Sequence, residues 1–164
     1  MLKPTLAVLV ALGAVSTAIA DTKTTSFNVK LTITQACNFT AAASDVNFGS
    51  NLSTAVNIDT AGSLRVTCTK GTAFNIGLSA GNGTSATTTV RKMKSATAGN
   101  TDEVPYALYR DSDRQQNWGD AGSADIASSS GLGTEQTLQV YGRVPGANFK
   151  ADSYSDVIVA TVTY

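Results

Sequence analysis

The sequence contains no histidine among its 164 residues. Without an imidazole, the Ser-His-Asp and Cys-His arrangements of nucleophilic catalysis cannot be built. Paired acids do occur, at Asp102-Glu103 and at Asp111 and Asp113, and two carboxylates can hydrolyse glycosides. These acids lie in polar stretches without an aromatic platform, and Asp111-Ser112-Asp113 is too short for a calcium loop. We therefore expect no enzymatic activity, no cofactor and no bound metal.

Charged residues are also scarce, at 15% of the chain, and the 12 basic side chains balance the 12 acidic ones. They are scattered along the chain and form no basic stripe. A stripe of that kind is the usual footprint of nucleic-acid or anionic-membrane binding. The composition therefore predicts neither a nucleic-acid partner nor a charged membrane surface.

Long apolar runs are absent except near the N-terminus. Lys3 precedes an apolar stretch over residues 6–15, and Ala18-Ile19-Ala20 fits an A-x-A cleavage site. The run is too short and too interrupted for a spanning helix. Residues 1–20 are therefore predicted to be a signal peptide, so that the exported chain begins at Asp21 and is not inserted in a membrane.

Only two cysteines are present, Cys37 and Cys68. An even number of cysteines in an exported protein predicts a disulfide. In the chain-entropy model such a bond is worth roughly 3–4 kcal/mol. A thiol nucleophile or a metal site is the alternative, and the lack of histidine weakens both.

The residues directly after the predicted signal peptide alternate strictly between apolar and polar. Over residues 21–33 the apolar side chains are Phe27, Val29, Leu31 and Ile33, with polar residues between them. This period of two predicts a strand with one buried face. The pattern does not say whether that face belongs in the chain's own core or in a neighbouring molecule's.

The remaining chain reads as short strands separated by turns. Strands are predicted at residues 46–49, 63–69, 73–79, 90–94, 104–109, 137–144 and 155–164. In the fourth of these we expect Met93 to point inward and the basic residues outward. Pro145-Gly146 is predicted as a turn, and residues 110–133 as a polar loop in which Trp118 caps the core. These features predict an all-β, immunoglobulin-like sandwich.

Several short motifs in order carry a family resemblance. They are the alternating N-terminal strand before Cys37, Asn47-Phe48-Gly49, Val66-Thr67-Cys68-Thr69, Arg91-Lys92-Met93, Tyr106-Ala107-Leu108-Tyr109-Arg110-Asp111, Trp118-Gly119-Asp120, Val140-Tyr141-Gly142-Arg143-Val144-Pro145, Tyr154-Ser155-Asp156 and Thr161-Val162-Thr163-Tyr164. Together they resemble the spore coat protein U domain of Csu-type pilus subunits, which the archaic chaperone–usher pathway assembles. One departure is Ser153, where the family often has glycine. The cysteine spacing and single domain fit a major shaft subunit rather than a two-domain tip adhesin.

The resemblance implies an immunoglobulin-like fold that lacks its last strand and is completed by a donated one. Residues 21–34 would be the donor strand and residues 35–164 the sandwich domain. A periplasmic chaperone would fill the groove first, and at the outer-membrane usher the donor strand of an identical subunit would replace it. The implied donor residues are Phe27, Val29, Leu31 and Ile33, and the implied chaperone-contact edge includes Val162 and Tyr164. The implied location is a pilus at the cell surface, which supports adhesion and biofilm formation.

Two other functions remain open at this point. One is a secreted carbohydrate- or surface-binding module that uses Trp118 and the loop around it. The other is a non-fibrous spore or cell coat protein, since the domain is named after a spore coat component. In either case residues 21–33 could instead be an ordinary edge strand of the chain's own sandwich.

Overall fold

The computed structural model describes residues 19–164, and every regular element within them is a β-strand. In chain order the strands are β1 (Cys37–Phe39), β2 (Val56–Cys68), β3 (Ala73–Leu78), β4 (Arg91–Ser95), β5 (Glu103–Tyr109), β6 (Ala127–Ser130), β7 (Glu135–Gly146), β8 (Tyr154–Ser155) and β9 (Ala160–Thr163). The predicted signal peptide lies almost wholly outside the described residues.

The strands form two antiparallel sheets. The larger sheet has the order β1-β2-β7-β5-β4-β8, and the smaller has the order β6-β3-β9. The long strands β2 and β7 pair from Val56 opposite Gly146 to Thr67 opposite Glu135 and form the middle of the larger sheet. Side chains from both sheets share one apolar core, so the predicted immunoglobulin-like sandwich is confirmed.

Strand alternation explains which side chains fill the core. Along β5 the buried residues Val104, Tyr106 and Leu108 alternate with half-buried ones, because successive side chains of a strand point to opposite faces. The fully buried members of the core are Cys37, Leu64, Val66, Cys68, Phe74, Ile76, Leu78, Val104, Tyr106, Leu108, Trp118, Val140 and Val144.

Most internal strands were predictable, and four regions were not. The predictions at residues 63–69, 73–79, 90–94, 104–109 and 137–144 are confirmed as β2, β3, β4, β5 and β7 with shifted ends. The predicted turn Pro145-Gly146 is wrong, since Gly146 pairs with Val56 inside β7. The predicted loop at residues 110–133 contains β6. Residues 21–33 and 46–49 form no strand in the structure.

The predicted final strand is divided between the two sheets. β8 pairs with β4 in the larger sheet, and β9 pairs with β3 in the smaller one. Side chains at even positions from Ala160 back to Tyr154 are only half-buried, although Tyr154, Ile158 and Ala160 pack against the core. The chain therefore changes sheets between β8 and β9, which places β9 at the edge of the smaller sheet.

Arg91 is the largest charged group inside the protein. Its side chain is fully buried, which contradicts the expectation that the basic residues of this strand point outward, because Arg91 shares the inward face with Met93. The guanidinium donates hydrogen bonds to four backbone carbonyl oxygens, those of Leu78, Ser79, Thr88 and Trp118. Desolvation lowers the pKa of Arg91. This side chain therefore ties the end of β3 to the two loops beside it.

Asp156 fastens the stretch between β8 and β9. Its carboxylate accepts hydrogen bonds from the Tyr106 hydroxyl at 2.7 Å and from the backbone N–H of Asn82 at 2.8 Å. Burial and this bond to a carboxylate raise the pKa of Tyr106. A Cβ atom at Gly81, where φ is +80°, would lie 2.0 Å from the Asp156 carboxylate, so this turn requires glycine.

Asp152 fastens the preceding stretch to the β4–β5 loop. Its carboxylate accepts hydrogen bonds from the hydroxyls of Ser95 and Thr97 and from the side-chain amide of Asn100. These hydrogen bonds hold the pKa of Asp152 well below its ordinary value, and the bond from Ser95 has the largest effect.

We predict that replacing Arg91 with alanine lowers the free energy of unfolding by about 3 kcal/mol or more, because several buried carbonyls lose their donor. Urea unfolding of the folded monomer measures this. The control is Arg65→Ala, which removes an exposed side chain 3.7 Å from Glu135 and should cost at most about 1 kcal/mol. Equal losses in the two variants would contradict the assigned role of Arg91.

Asp152 gives the structure a predictable response to acid. A carboxylate whose pKa is lowered by folding stabilises the protein above its unfolded pKa of about 3.9, and this contribution is lost as the pH falls towards the folded pKa. Asp152→Asn should therefore lower the urea midpoint at pH 7, and the difference from the parent protein should narrow below about pH 4.

Asp113→Asn is the matched control, because the Asp113 carboxylate accepts only one long bond, from Ser112 at 3.5 Å. That variant should follow the parent protein across the whole pH range. A difference between Asp152→Asn and the parent that stays constant from pH 7 to pH 2.5 would contradict the assignment.

Candidate functional site

The lining of one groove in the sandwich domain includes side chains of the apolar core. A groove of about 1150 Å³ reaches in from the surface, and its floor consists of core side chains from both sheets. The floor residues include Leu64, Leu78, Val104, Leu108, Val140 and Val144. These six side chains are 1–7% exposed, and half-buried side chains such as Val46, Phe48 and Ile158 also line the groove.

One wall of the groove is drawn from residues 39–53. β1 and the bridge from Ser44 to Ser63 hold the start of this wall against β2. Beyond Ser44 the chain crosses the inner face of the larger sheet, which glycine permits. A Cβ atom at Gly62 would lie 2.5 Å from the Ser44 carbonyl oxygen, and one at Gly142 would lie 2.6 Å from a Val46 methyl carbon. Residues 46–49 therefore leave β2 and run on as an unpaired wall.

The opposite wall is drawn from residues 147–160 and leads into β9. β9 pairs on one side only, with β3. Val159 exchanges hydrogen bonds with Ser79 beside β3. Because backbone groups of successive residues in a strand point to opposite sides, those of Ala160 and Val162 point to the open edge. This edge is a row of free donors and acceptors on which another strand can pair.

The predicted chaperone-contact residues lie at this edge. Val162 is opposite Ile76 in the ladder and is half-buried against the core, whereas Tyr164 follows β9 and is 58% exposed. The structure therefore places both at a strand whose outer edge is open. Whether a chaperone contacts them stays a prediction.

The predicted donor residues are exposed and unpaired in the described chain. Phe27, Val29, Leu31 and Ile33 have exposed fractions of 85%, 87%, 85% and 75%. Residues 19–36 form no strand, although residues 27–33 have strand alternation. Four large apolar side chains on one face of a single segment are costly to leave in water. Residues 19–36 are assigned to no strand, and whether the segment is a donor strand or an edge strand of its own sandwich stays a prediction.

Cys37 and Cys68 form the predicted disulfide. They are opposite each other in the β1–β2 ladder, and both are buried. The bond fixes the short strand β1 to β2 at the edge of the larger sheet.

Trp118 belongs to the core, as the prediction of a capping role stated. Its side chain is 1% exposed, and its indole N–H donates a 2.7 Å hydrogen bond to the Ile76 carbonyl oxygen. A sugar platform needs an accessible aromatic face. The binding-module alternative therefore loses the side chain on which it relied.

Acidic side chains of the two pairs noted in the sequence accept hydrogen bonds from nearby loop residues. Glu103 accepts bonds from the N–H and hydroxyl of Thr84, and Asp111 accepts bonds from the N–H groups of Gln115 and Gln116. These bonds lower the pKa of Glu103, and the same kind of bond lowers that of Asp111 against desolvation. Within residues 19–164 no group of three acidic or cysteine side chains could hold a metal ion. The same residues contain no helix of the length and apolar character that a membrane span requires.

Sequence reasoning did not find the groove walls or the buried anchors. Gly62 and Gly142 interrupt otherwise regular strand patterns, and such glycines signal a close backbone approach. That signal could have located the crossing of residues 44–48. Arg91 lies at an inward position of its strand, and this parity could have marked it as buried.

Comparison with known proteins places these features in a family. The family model described as the Spore Coat Protein U domain matches residues 23–161. Protein U of Myxococcus xanthus is 34% identical over 166 residues, which cover 93% of this chain and 91% of that protein.

A solved structure with a similar fold comes from a pilus system. It is the crystal structure of the CsuC-CsuE chaperone–tip adhesion subunit pre-assembly complex from archaic chaperone–usher Csu pili of Acinetobacter baumannii. The similarity has a TM-score of 0.60 and 20% identity, and it covers 81% of this chain but only 41% of the matched chain. The fold thus agrees with the family match, and the chain belongs to the Spore Coat Protein U domain family.

Proposed function

We propose that this protein is a structural subunit of a surface pilus, in which the N-terminal segment of one copy fills the groove of the next. The observation that carries this proposal is a complementary pair within one chain. A groove with core side chains in its lining lies beside the open edge of β9, and a segment with strand alternation and exposed apolar side chains pairs with no strand of residues 19–164. Strand addition to an open sheet edge satisfies both at once.

The groove walls suit an inserted strand on both sides. β9 offers the outward backbone groups of Ala160 and Val162 on one side, and residues 46–49 offer an unpaired backbone on the other. Residues 46–49 have strand alternation but no ladder. A donated strand would supply the missing partner, which explains why this predicted strand does not form in the isolated chain.

The size of the apolar contact suits a durable linkage. Burying Phe27, Val29, Leu31 and Ile33 would contribute roughly 6–12 kcal/mol by side-chain transfer values. This is an upper range, because the free segment is already partly collapsed. It is nevertheless comparable to the stability of a whole domain, so a polymer joined in this way would dissociate slowly.

A subunit with an open core needs a temporary partner before assembly. We propose that a periplasmic chaperone covers the groove by pairing with the edge at Val162 and Tyr164, and that an outer-membrane usher exchanges it for the next subunit. The solved structure with the similar fold is itself a chaperone–subunit pre-assembly complex of Csu pili, which supports this route. Adhesion and biofilm formation would be functions of the finished fibre at the cell surface.

A coat protein is the second candidate, because the family description names a spore coat protein and its relative Protein U covers nearly the whole chain. The same strand exchange could join subunits in a layer. Linear fibres in electron micrographs of the assembled material favour the pilus, and sheets or amorphous layers favour the coat.

The donor role of Leu31 gives the sharpest test. Leu31→Asp should reduce the amount of sedimentable polymer by about two orders of magnitude, because roughly 3 kcal/mol is lost when leucine burial is replaced by a carboxylate in an apolar groove. The variant's own groove and disulfide are unchanged, so folded monomer should still be exported. Ultracentrifugation of sheared surface material, followed by quantification of the pellet, measures the effect.

Thr32→Asp is the matched control, since it introduces the same charge one position away on the polar face of the segment. Its polymer yield should stay within about twofold of the parent protein's yield, because substitutions at solvent-exposed positions usually have small effects. Normal fibres from Leu31→Asp, or equal losses from both variants, would refute the assignment of the donor face.

A further inference from the structure

The groove and the N-terminal segment belong to one chain, so the segment could in principle close its own groove. On the side of β1 the groove lining begins at Phe39 and is drawn from residues that follow it, whereas the donor residues precede β1. For residues 27–33 to enter the groove of the same chain, the chain must reverse direction between Ile33 and Cys37. Only residues 34–36 are available for that turn.

In the structure residues 34–36 lie beside the end of β2 and are hydrogen-bonded to Thr69. The Thr69 hydroxyl accepts a hydrogen bond from the Ala36 N–H at 3.1 Å and donates one to the Thr34 carbonyl oxygen at 3.2 Å. The Thr69 N–H donates to the Ala36 carbonyl oxygen at 2.9 Å. Residues 34–36 thus continue the β1–β2 pairing past the disulfide, and a tight turn there would break these bonds.

We propose that Thr69 is a positioning residue that keeps the N-terminal segment out of its own groove and available to a second copy of this chain. The inference rests on the proposed function. It adds a structural feature that favours strand exchange between molecules over self-closure within one molecule. The hydroxyl is the part that matters, because it bonds on both sides of Gln35 at once. The adjacent disulfide prevents the same pairing from slipping along β2.

The test measures the apparent affinity of three monomers, each beginning at Asp21, for a labelled synthetic peptide of residues 21–34. The three are the parent protein, Thr69→Val and Thr69→Ser. Thr69→Val keeps the shape of the side chain and the backbone bond but loses both hydroxyl bonds. Its apparent affinity for the peptide should fall roughly five- to tenfold, because the self-closed state gains population and competes with the peptide. Thr69→Ser keeps the hydroxyl and should bind like the parent protein.

The double variant Thr69→Val/Leu31→Asp separates self-closure from damage to the fold. Its own segment can no longer fill the groove, so capture of the parent-sequence peptide should return to the parent level. Unchanged affinity in Thr69→Val would overturn the proposal, and so would a loss of affinity that Leu31→Asp does not restore.

Two further outcomes show whether the inference about Thr69 fails alone or together with the proposed function. If the parent protein captures no peptide while it is still monomeric in sedimentation, but Leu31→Asp alone does capture it, the parent is already self-closed. The inference about Thr69 is then wrong, and strand exchange stands. If neither protein captures the peptide, the groove does not accept this strand, and both the proposed function and the inference fail.

Discussion

The hydrophobic core of this protein is unfinished on one side, and most features of the sandwich relate to that gap. Leu64, Leu108 and Val140 pack as core residues against both sheets yet lie at the floor of an open groove. An apolar surface of this kind favours any strand that can cover it and pair with the free edge of β9. The exposed N-terminal segment has the alternation required for that position. Under the proposed function, the chain carries both halves of an interaction that is made between copies.

An open core must be supported by other contacts. The long β2–β7 pair, the Cys37–Cys68 disulfide and the buried Arg91 hold the sheets and loops together around the groove. Asp152 fastens the stretch before β8 to the β4–β5 loop, and Asp156 fastens the stretch between β8 and β9 to Tyr106 of β5. We infer that they let the subunit keep its shape while the groove waits for a strand.

The sequence predicts much of this architecture, because strand alternation reports directly on burial. It locates five internal strands, the disulfide pair and the core position of Trp118. It does not locate β6, whose residues Ala127–Ser130 are small and polar and lack an apolar alternation. Residues 46–49 show the opposite failure, since their alternation predicts a strand but they form no ladder in the structure.

The donor segment is the case in which sequence pattern and isolated structure differ most. Residues 27–33 have the alternation of a strand, but in the structure they are exposed and form no strand. Alternation records which face is buried in the final state and carries no information about which molecule buries it. Under the proposed function, the groove of a second copy is where that face is buried.

The central claim is that copies of this chain are joined by non-covalent exchange of strands. The most direct measurement runs the secreted material on a denaturing gel, with heated and unheated samples side by side. Strand exchange predicts a ladder of integer multiples of the subunit mass in the unheated lane, which collapses to monomer after boiling. A single monomer band in both lanes would contradict strand exchange and would favour a monomeric surface protein.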